Sequence, residues 1–283
     1  MEIKKVGVVG CGLMGSGIVE VCARAGYDVV VREVNDELLQ KGLERVKKSM
    51  SKGVQRGKLS REDMDAAWQR IQGTTTLADM ADCDLVIEAA VEKMEVKKAI
   101  FAELDSIVPP HAILASNTSS LCVTEMASVT KRSDKVLGIH FFNPVPVMPL
   151  IEFVRTILTS DETMDIARKF GASLGKTMVT AKDTPGFIVN RLLIPYLLDA
   201  VRIYEAGLAS KEDIDTAIHL GLSHPIGPLA LLDFVGLDTC LFIADAMYEE
   251  FKDPRYAAPP LLRRMVLAGH LGRKSGKGFY DYT

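Results

Sequence analysis

Four polar residues stand where chemistry is possible: Ser119 in SNTSS, His140 in LGIHFFNPVP, Glu152 in LIEFVR and Asn190 in IVNRLL. His140 lies inside an apolar run of strand length, Val136 to Phe142, that leads into an Asn-Pro turn. A buried polar ring needs partners, because an unpaired one costs about 1–3 kcal/mol. Histidine is also the side chain best matched to proton transfer at neutral pH. An enzyme that takes hydride from an alcohol needs such a base beside the hydroxyl. A carboxylate that fixes the imidazole tautomer makes it a better base, and Glu152 is close enough in sequence to reach back. From spacing alone the bland alternatives stand. A lone histidine in an apolar strand is more often structural, Glu152 reads equally as a solvated charge, and SNTSS as a loop that caps a helix.

A second motif bears on what these residues serve. VGVVGCGLMGSG places Gly10, Gly12 and Gly15 directly after a strand and directly before a helix. In that context the first glycine permits the tight turn and the second lets backbone approach a pyrophosphate. The third lets helix and strand pack closely. The helix N-terminus offers free N–H groups to phosphate, and Leu13 and Met14 in the turn are expected cofactor contacts. Glu33 lies at the end of the second strand, 23 positions past Gly10, where a ribose-binding carboxylate belongs. A 2′-phosphate about 4 Å from it would meet repulsion of about 4 kcal/mol per charge pair at an effective dielectric near 20. NAD is therefore expected over NADP. Arg32 keeps NADP open only if it, rather than Glu33, faces the ribose.

These residues need a frame. Strand-like runs at Lys4–Val9, Asp28–Val34, Asp84–Glu88, Ala112–Ser116 and Val136–Phe142 alternate with helical stretches at Ile18–Ala25, Glu37–Val54 and Lys93–Leu104. Ser60 to Asp63 reads as a capping box that opens another helix. Two further strands are expected at Leu150–Arg155 and Thr177–Thr180. Alternation of this kind implies βαβ units and a mostly parallel, Rossmann-type sheet. In such sheets ligands bind beyond the carboxyl ends of the strands. Glu88, Glu92, the SNTSS loop, His140 and Asn143 all fall there. After DTPGF (183–187) strands cease. Helices are expected at Val189–Glu205, Ser210–Leu220, Pro228–Phe251 and Pro259–Ala268. The expected domains are thus an α/β domain over 1–185, with a helical arm near 37–70, and an all-helical domain over 186–283.

Bulk properties exclude several classes. The 283 residues are 48% hydrophobic and 25% charged, ordinary for a globular protein. A net charge of −3 gives no basic field for nucleic acid or acidic lipid. No apolar run of about 18 residues suggests a membrane helix. Five scattered cysteines without a CxxC pair suggest neither a disulfide framework nor a zinc site, and no metal is expected. MEIKKVGVVG starts a strand at once and reads as neither a secretory leader nor a transit segment. A cytoplasmic protein with reduced thiols is expected.

Taken together, GCGLMGSGI, DLVIEAAVE, ASNTSSL, HFFNPVPVM, DTPGFIVNRLL, HPIGPLALLDFVGLD and GRKSGKGFYDY resemble the L-3-hydroxyacyl-CoA dehydrogenases. The likeness is greatest to the short monofunctional bacterial 3-hydroxybutyryl-CoA dehydrogenases. Each motif is modest alone; the set, in order along the whole chain, is specific. The resemblance implies NAD-dependent, reversible oxidation of a short-chain (S)-3-hydroxyacyl-CoA in fatty-acid or butyrate metabolism. It implies His140 as general base, Glu152 as its partner, and Ser119 and Asn190 as ligands to the substrate oxygens. It further implies cofactor contacts at Glu92, Lys97, Ser119, Asn143 and Lys274, and coenzyme A contacts at Ser49 and Arg56. Arg56 stands where the family often has lysine. Pro149 also replaces a usual lysine, with no evident consequence. The helical domain of this family forms a homodimer interface. Two alternatives remain open. One is a free β-hydroxy acid dehydrogenase, which would use lysine in the catalytic role. The other is a non-enzymatic nucleotide-binding or structural protein, which would tolerate loss of the four polar residues.

Overall fold

The computed structural model describes residues 2–282. It contains two compact units, one through Thr184 and one from Pro185. The first holds an eight-stranded sheet: β1 (Lys5–Val9), β2 (Asp28–Arg32), β3 (Ile71–Thr74), β4 (Leu85–Glu88), β5 (Ile113–Ser116), β6 (Val136–Phe141), β7 (Leu150–Arg155) and β8 (Thr177–Lys182). Their order across the sheet is β3-β2-β1-β4-β5-β6-β7-β8. Every neighbouring pair is parallel except β6–β7. This is the expected mostly parallel architecture. Strands β4, β5 and β6 are buried along their whole length, because helices cover both faces. That is why they read as continuous apolar runs rather than alternating ones.

The connecting helices are α1 (Leu13–Arg24), α2 (Asp36–Gln55), α3 (Arg61–Gln69), α4 (Met94–Ile107), α5 (Val123–Ala127) and α6 (Asp161–Ser173). Several starts are set by side chains. Asn35 accepts from Leu38 N, Ser60 from Asp63 N and Ser160 from Thr163 N. Each such cap contributes about 1 kcal/mol. The core of this unit includes Val8, Ile18, Val31, Ile87, Ile139, Phe153 and Phe170. Burial of each is worth about 1.5–3 kcal/mol.

Several elements differ from the sequence reading. Helix α1 begins at Leu13 rather than Ile18, so it starts directly on the glycine turn. Strand β2 ends at Arg32 and β6 at Phe141. Edge strand β3 (IQGT) had no apolar alternation to mark it, and it is only half-buried. The single helix expected over Pro228–Phe251 is two helices, broken at Gly236, whose φ is 105°. Such a φ suits glycine, and apolar periodicity on both sides hid the break.

The second unit is helical: α7 (Val189–Glu205), α8 (Lys211–Gly221), α9 (Pro228–Val235), α10 (Leu237–Phe251) and α11 (Pro260–Leu267). Leu197, Leu198, Val201, Leu229, Leu232 and Met247 form its core. Two aspartates organise it. The Asp215 oxygens accept from Leu229 N and Ala230 N at 2.8 and 2.9 Å, which caps α9. Buried Asp233 accepts from Phe279 N, Tyr280 N and the Tyr282 hydroxyl, which ties the basic tail to α9. Among the described residues no helix is long and apolar enough to cross a membrane.

Candidate active site

The glycine turn has the build of a dinucleotide cradle. Gly10 has φ 98°, and a Cβ there would meet Ala89 O at 2.6 Å. A Cβ on Gly15 would fall 1.9 Å from Gly10 O, so only glycine lets α1 sit this close to the turn. Around Gly12 there is open space within 4 Å. Gly12 caps α1 with no side-chain hydrogen bond. The first-turn N–H groups at Leu13, Met14 and Gly15 thus present the positive end of the helix dipole to an anion. Glu33 folds against the turn. Its Oε1 accepts from Cys11 N at 2.7 Å and its Oε2 from Val34 N at 3.0 Å. Burial, with Glu33 beside it, pushes the Cys11 thiol up to about 12, so that thiol stays protonated at neutral pH. Arg32 instead donates through Nε to Thr75 O, away from the turn. This donor set fits a nicotinamide dinucleotide with an unphosphorylated ribose.

His140 and Glu152 are brought together by register. Strands β6 and β7 are antiparallel, and these two residues are direct partners across them. Opposite partners project their side chains to the same face about 5 Å apart. His140 Nδ1 lies 2.7 Å from Glu152 Oε2, with both side chains buried. With Nδ1–H donating to the carboxylate, the neutral ring presents Nε2 as an acceptor. Nε2 lies 3.2 Å from Ser119 Oγ. The Phe142 ring packs on the imidazole at a centroid distance of 4.6 Å. The opposition of residues 140 and 152 follows from a hairpin-like connection centred on the Asn143–Pro146 turn, and no periodicity in the sequence marks it.

Ser119 is held from the other side. Glu92 Oε1 accepts from Ser119 N at 3.1 Å and from Thr118 Oγ1. Glu92 Oε2 lies 3.0 Å from Lys97 Nζ. Lys97 also meets both Glu88 oxygens, at 2.7 and 2.9 Å. The Lys97 side chain is only 1% exposed, and its ammonium lies among these carboxylate oxygens. Ser116 Oγ and Ala90 N complete Glu88 at 2.6 and 2.7 Å. Asn117 Oδ1 accepts from Phe141 N, tying the end of β5 to β6.

The sequence reading placed Glu88 at a strand end but gave it no role. The available signal was Lys97 itself. It occupies the stripe shared by Phe101 and Leu104, the buried face of α4, where a lysine demands a carboxylate.

The other expected residues are placed as follows. Asn143 is exposed in the turn after β6. Ser49, on α2, shares with Asn143, Leu13 and Glu20 the lining of a groove of about 210 Å³. Arg56 is exposed at the end of α2. Asn190 and Lys274 belong to the second unit: Asn190 is buried in the first turn of α7, and Lys274 Nζ pairs with Asp238 at 2.6 Å.

Profiles for two domains of one enzyme family match the chain end to end. The 3-hydroxyacyl-CoA dehydrogenase NAD-binding domain covers residues 5–184, and the C-terminal domain of the same family covers 186–282. The chain belongs to the 3-hydroxyacyl-CoA dehydrogenase family. A 3-hydroxybutyryl-CoA dehydrogenase of Mycobacterium tuberculosis is 54% identical over 282 residues, covering 99% of each chain. The human mitochondrial hydroxyacyl-coenzyme A dehydrogenase is 45% identical, covering 99% of this chain and 91% of its own. The crystal structure of (S)-3-hydroxybutyryl-CoA dehydrogenase from Ralstonia eutropha superposes with a TM-score of 0.96 at 46% identity, covering 100% of both chains. Membership gives the dehydrogenase motifs their context: the glycine turn, the SNTSS loop and the HFFNP strand all lie in the family's NAD-binding domain.

Proposed function

We propose that this chain is an NAD-dependent 3-hydroxyacyl-CoA dehydrogenase that interconverts short (S)-3-hydroxyacyl-CoA thioesters, such as 3-hydroxybutyryl-CoA, and their 3-keto forms. The observation that carries this reading is the buried His140–Glu152 pair facing Ser119 at the carboxyl edge of a nucleotide-binding sheet. His140 Nε2 takes the C3 hydroxyl proton in oxidation and returns it in reduction. Glu152 holds Nδ1–H and stabilises the imidazolium that forms. Ser119 Oγ, held by the Glu92 contact to its backbone, orients the reacting oxygen. NAD, when bound, supplies the hydride acceptor. Glu33, the glycine turn and the N-terminus of α1 hold its adenosine half and phosphates, and Asn143 and Glu92 lie toward its nicotinamide end.

The remaining roles rest on family membership. Asn190 is a second ligand to the substrate oxygen, supplied by the 186–283 domain, and Lys274 is a cofactor contact. Ser49 and Arg56 meet the coenzyme A arm. Lys47, Lys48, Lys52 and Lys58 lie along or just after α2 and suit that arm's phosphates. The protein works as a homodimer in the cytoplasm through the helical domain. The exposed Leu192, Leu208, Leu220 and Leu267 on that unit support such an interface.

NADH oxidation tests the reading directly. Acetoacetyl-CoA should be turned over, and free acetoacetate should be turned over poorly. Equal rates would assign the protein to the free β-hydroxy acid dehydrogenases instead.

A further inference from the structure

The Glu88–Lys97–Glu92 cluster places two carboxylates within 3.0 Å of one ammonium. Its net charge is therefore −1. Glu88 is fully buried and Glu92 is partly open, with 30% of its side chain exposed. Water screens such a cluster poorly, so its field reaches neighbouring groups.

The strand order says what those neighbours are. Strands run β2-β1-β4-β5-β6 across this part of the sheet. Glu33 follows β2 and the glycine turn follows β1, which fixes the adenosine and pyrophosphate end of the cofactor. His140 on β6 fixes the reacting carbon. The nicotinamide half must cross the carboxyl ends of β4 and β5 between them. Those ends carry Glu88 and the Ser116–Ser119 loop, to which Glu92 is bonded. An oxidised nicotinamide ring bears one positive charge, and the reduced ring bears none.

We infer that the Glu88–Lys97–Glu92 cluster is a charge-balancing site that favours the oxidised over the reduced dinucleotide. Glu88 is its buried positioning residue. It does not touch the cofactor. It shares the Lys97 ammonium, so that Lys97 does not fully neutralise Glu92. The inference rests on the cofactor reading above and adds a reason for a second carboxylate. One carboxylate would suffice to pair Lys97; two leave a net negative charge beside the ring.

The test measures dissociation constants for NADH, by its fluorescence, and for NAD⁺, by displacement, at fixed ionic strength. Glu88→Gln keeps the shape and removes the charge. It should raise the ratio Kd(NAD⁺)/Kd(NADH) by about tenfold, the size expected for one charge several ångströms away in a partly screened site. Glu88→Gln/Lys97→Gln returns the net charge to −1 and should bring the ratio back toward the wild-type value. A purely structural Glu88 would weaken both forms together and show no such return. If Glu88→Gln does not fold, Glu92→Gln removes the same charge at the exposed end and should raise the ratio likewise. A folded variant that binds NADH with an unchanged ratio overturns the inference alone. Failure of the wild-type protein to bind either form overturns the cofactor reading together with it.

Discussion

His140–Glu152 and Glu88–Lys97–Glu92 lie on opposite sides of Ser119, and both are buried pairings of a carboxylate with a nitrogen base. They are built differently. The lysine cluster is closed: Lys97 Nζ sits among three carboxylate oxygens, and Ser116 and Ala90 complete Glu88. The histidine pair is graded. One ring nitrogen is fixed by Glu152 at 2.7 Å, and the other faces a hydroxyl at a looser 3.2 Å. A closed buried pair can set a field and hold a loop, but its ammonium has no lone pair to accept a proton. A pair with one nitrogen turned to a hydroxyl can do chemistry. The same ingredients thus give a positioning element on one side and a base on the other.

The largest expected effect tests the chemical half of this contrast. His140→Ala should lower kcat by about 10²–10⁴, the usual loss for a missing general base. NADH affinity should hold nearly constant, while stability falls because buried Glu152 loses its partner. A variant with unchanged kcat would remove His140 from the mechanism. Lys97→Met probes the other half and should act mainly on stability. It strands the buried Glu88 carboxylate, and breaking such a pair costs about 3–5 kcal/mol. Urea unfolding measures this. A stable Lys97→Met protein with lost turnover would show that the lysine serves the site rather than the fold.

Glu152→Gln is expected next in size. It keeps the shape of the residue opposite His140 and removes the charge from that hydrogen bond. Charge-assisted bonds are worth about 1.5–3 kcal/mol, so kcat should fall about 10- to 100-fold without unfolding. Full activity across pH would reject the pairing. Glu33→Gln should weaken discrimination against NADP by at least about tenfold, since a repulsive charge worth up to about 4 kcal/mol is removed from the ribose site. The ratio of kcat/KM for the two cofactors measures it, and an unchanged ratio would shift that role elsewhere.

Much of this frame was legible in the sequence, for identifiable reasons. Strands β4, β5 and β6 are short apolar runs because they are buried on both faces. The glycine turn is legible because Gly10 and Gly15 each occupy a place where a Cβ cannot fit. Less legible were features decided by non-local pairing. Strand β3 is an edge with nothing apolar to alternate. The break at Gly236 lies between two segments of the same period. The direct opposition of His140 and Glu152 depends on strand register across a turn, which residue types do not encode locally. Lys97 was readable as a charge near the cofactor. That its ammonium turns inward, onto Glu88, appears only once α4 is packed.

The smallest effect concerns a second pairing of histidine with carboxylate, this one at the surface. His111 Nε2 lies 3.0 Å from Asp84 Oδ1, and the His111 side chain is 52% exposed. Burial alone would raise the Asp84 carboxyl. The N–H groups of Lys4 and Lys5 and the His111 ring outweigh it and hold the group below the usual carboxylate value. A carboxyl lowered in the fold adds stability above its unfolded pKa and loses it as pH falls through the folded one. Asp84→Asn should therefore cost under about 1 kcal/mol near neutral pH, with the difference from wild type shrinking below about pH 4. Its kcat should not change. Thermal melts at several pH values, read beside the same melts for Glu152→Gln, measure what burial adds. If Asp84→Asn cost as much as Glu152→Gln in turnover or stability, burial would not be what separates a reactive histidine pair from an ordinary one.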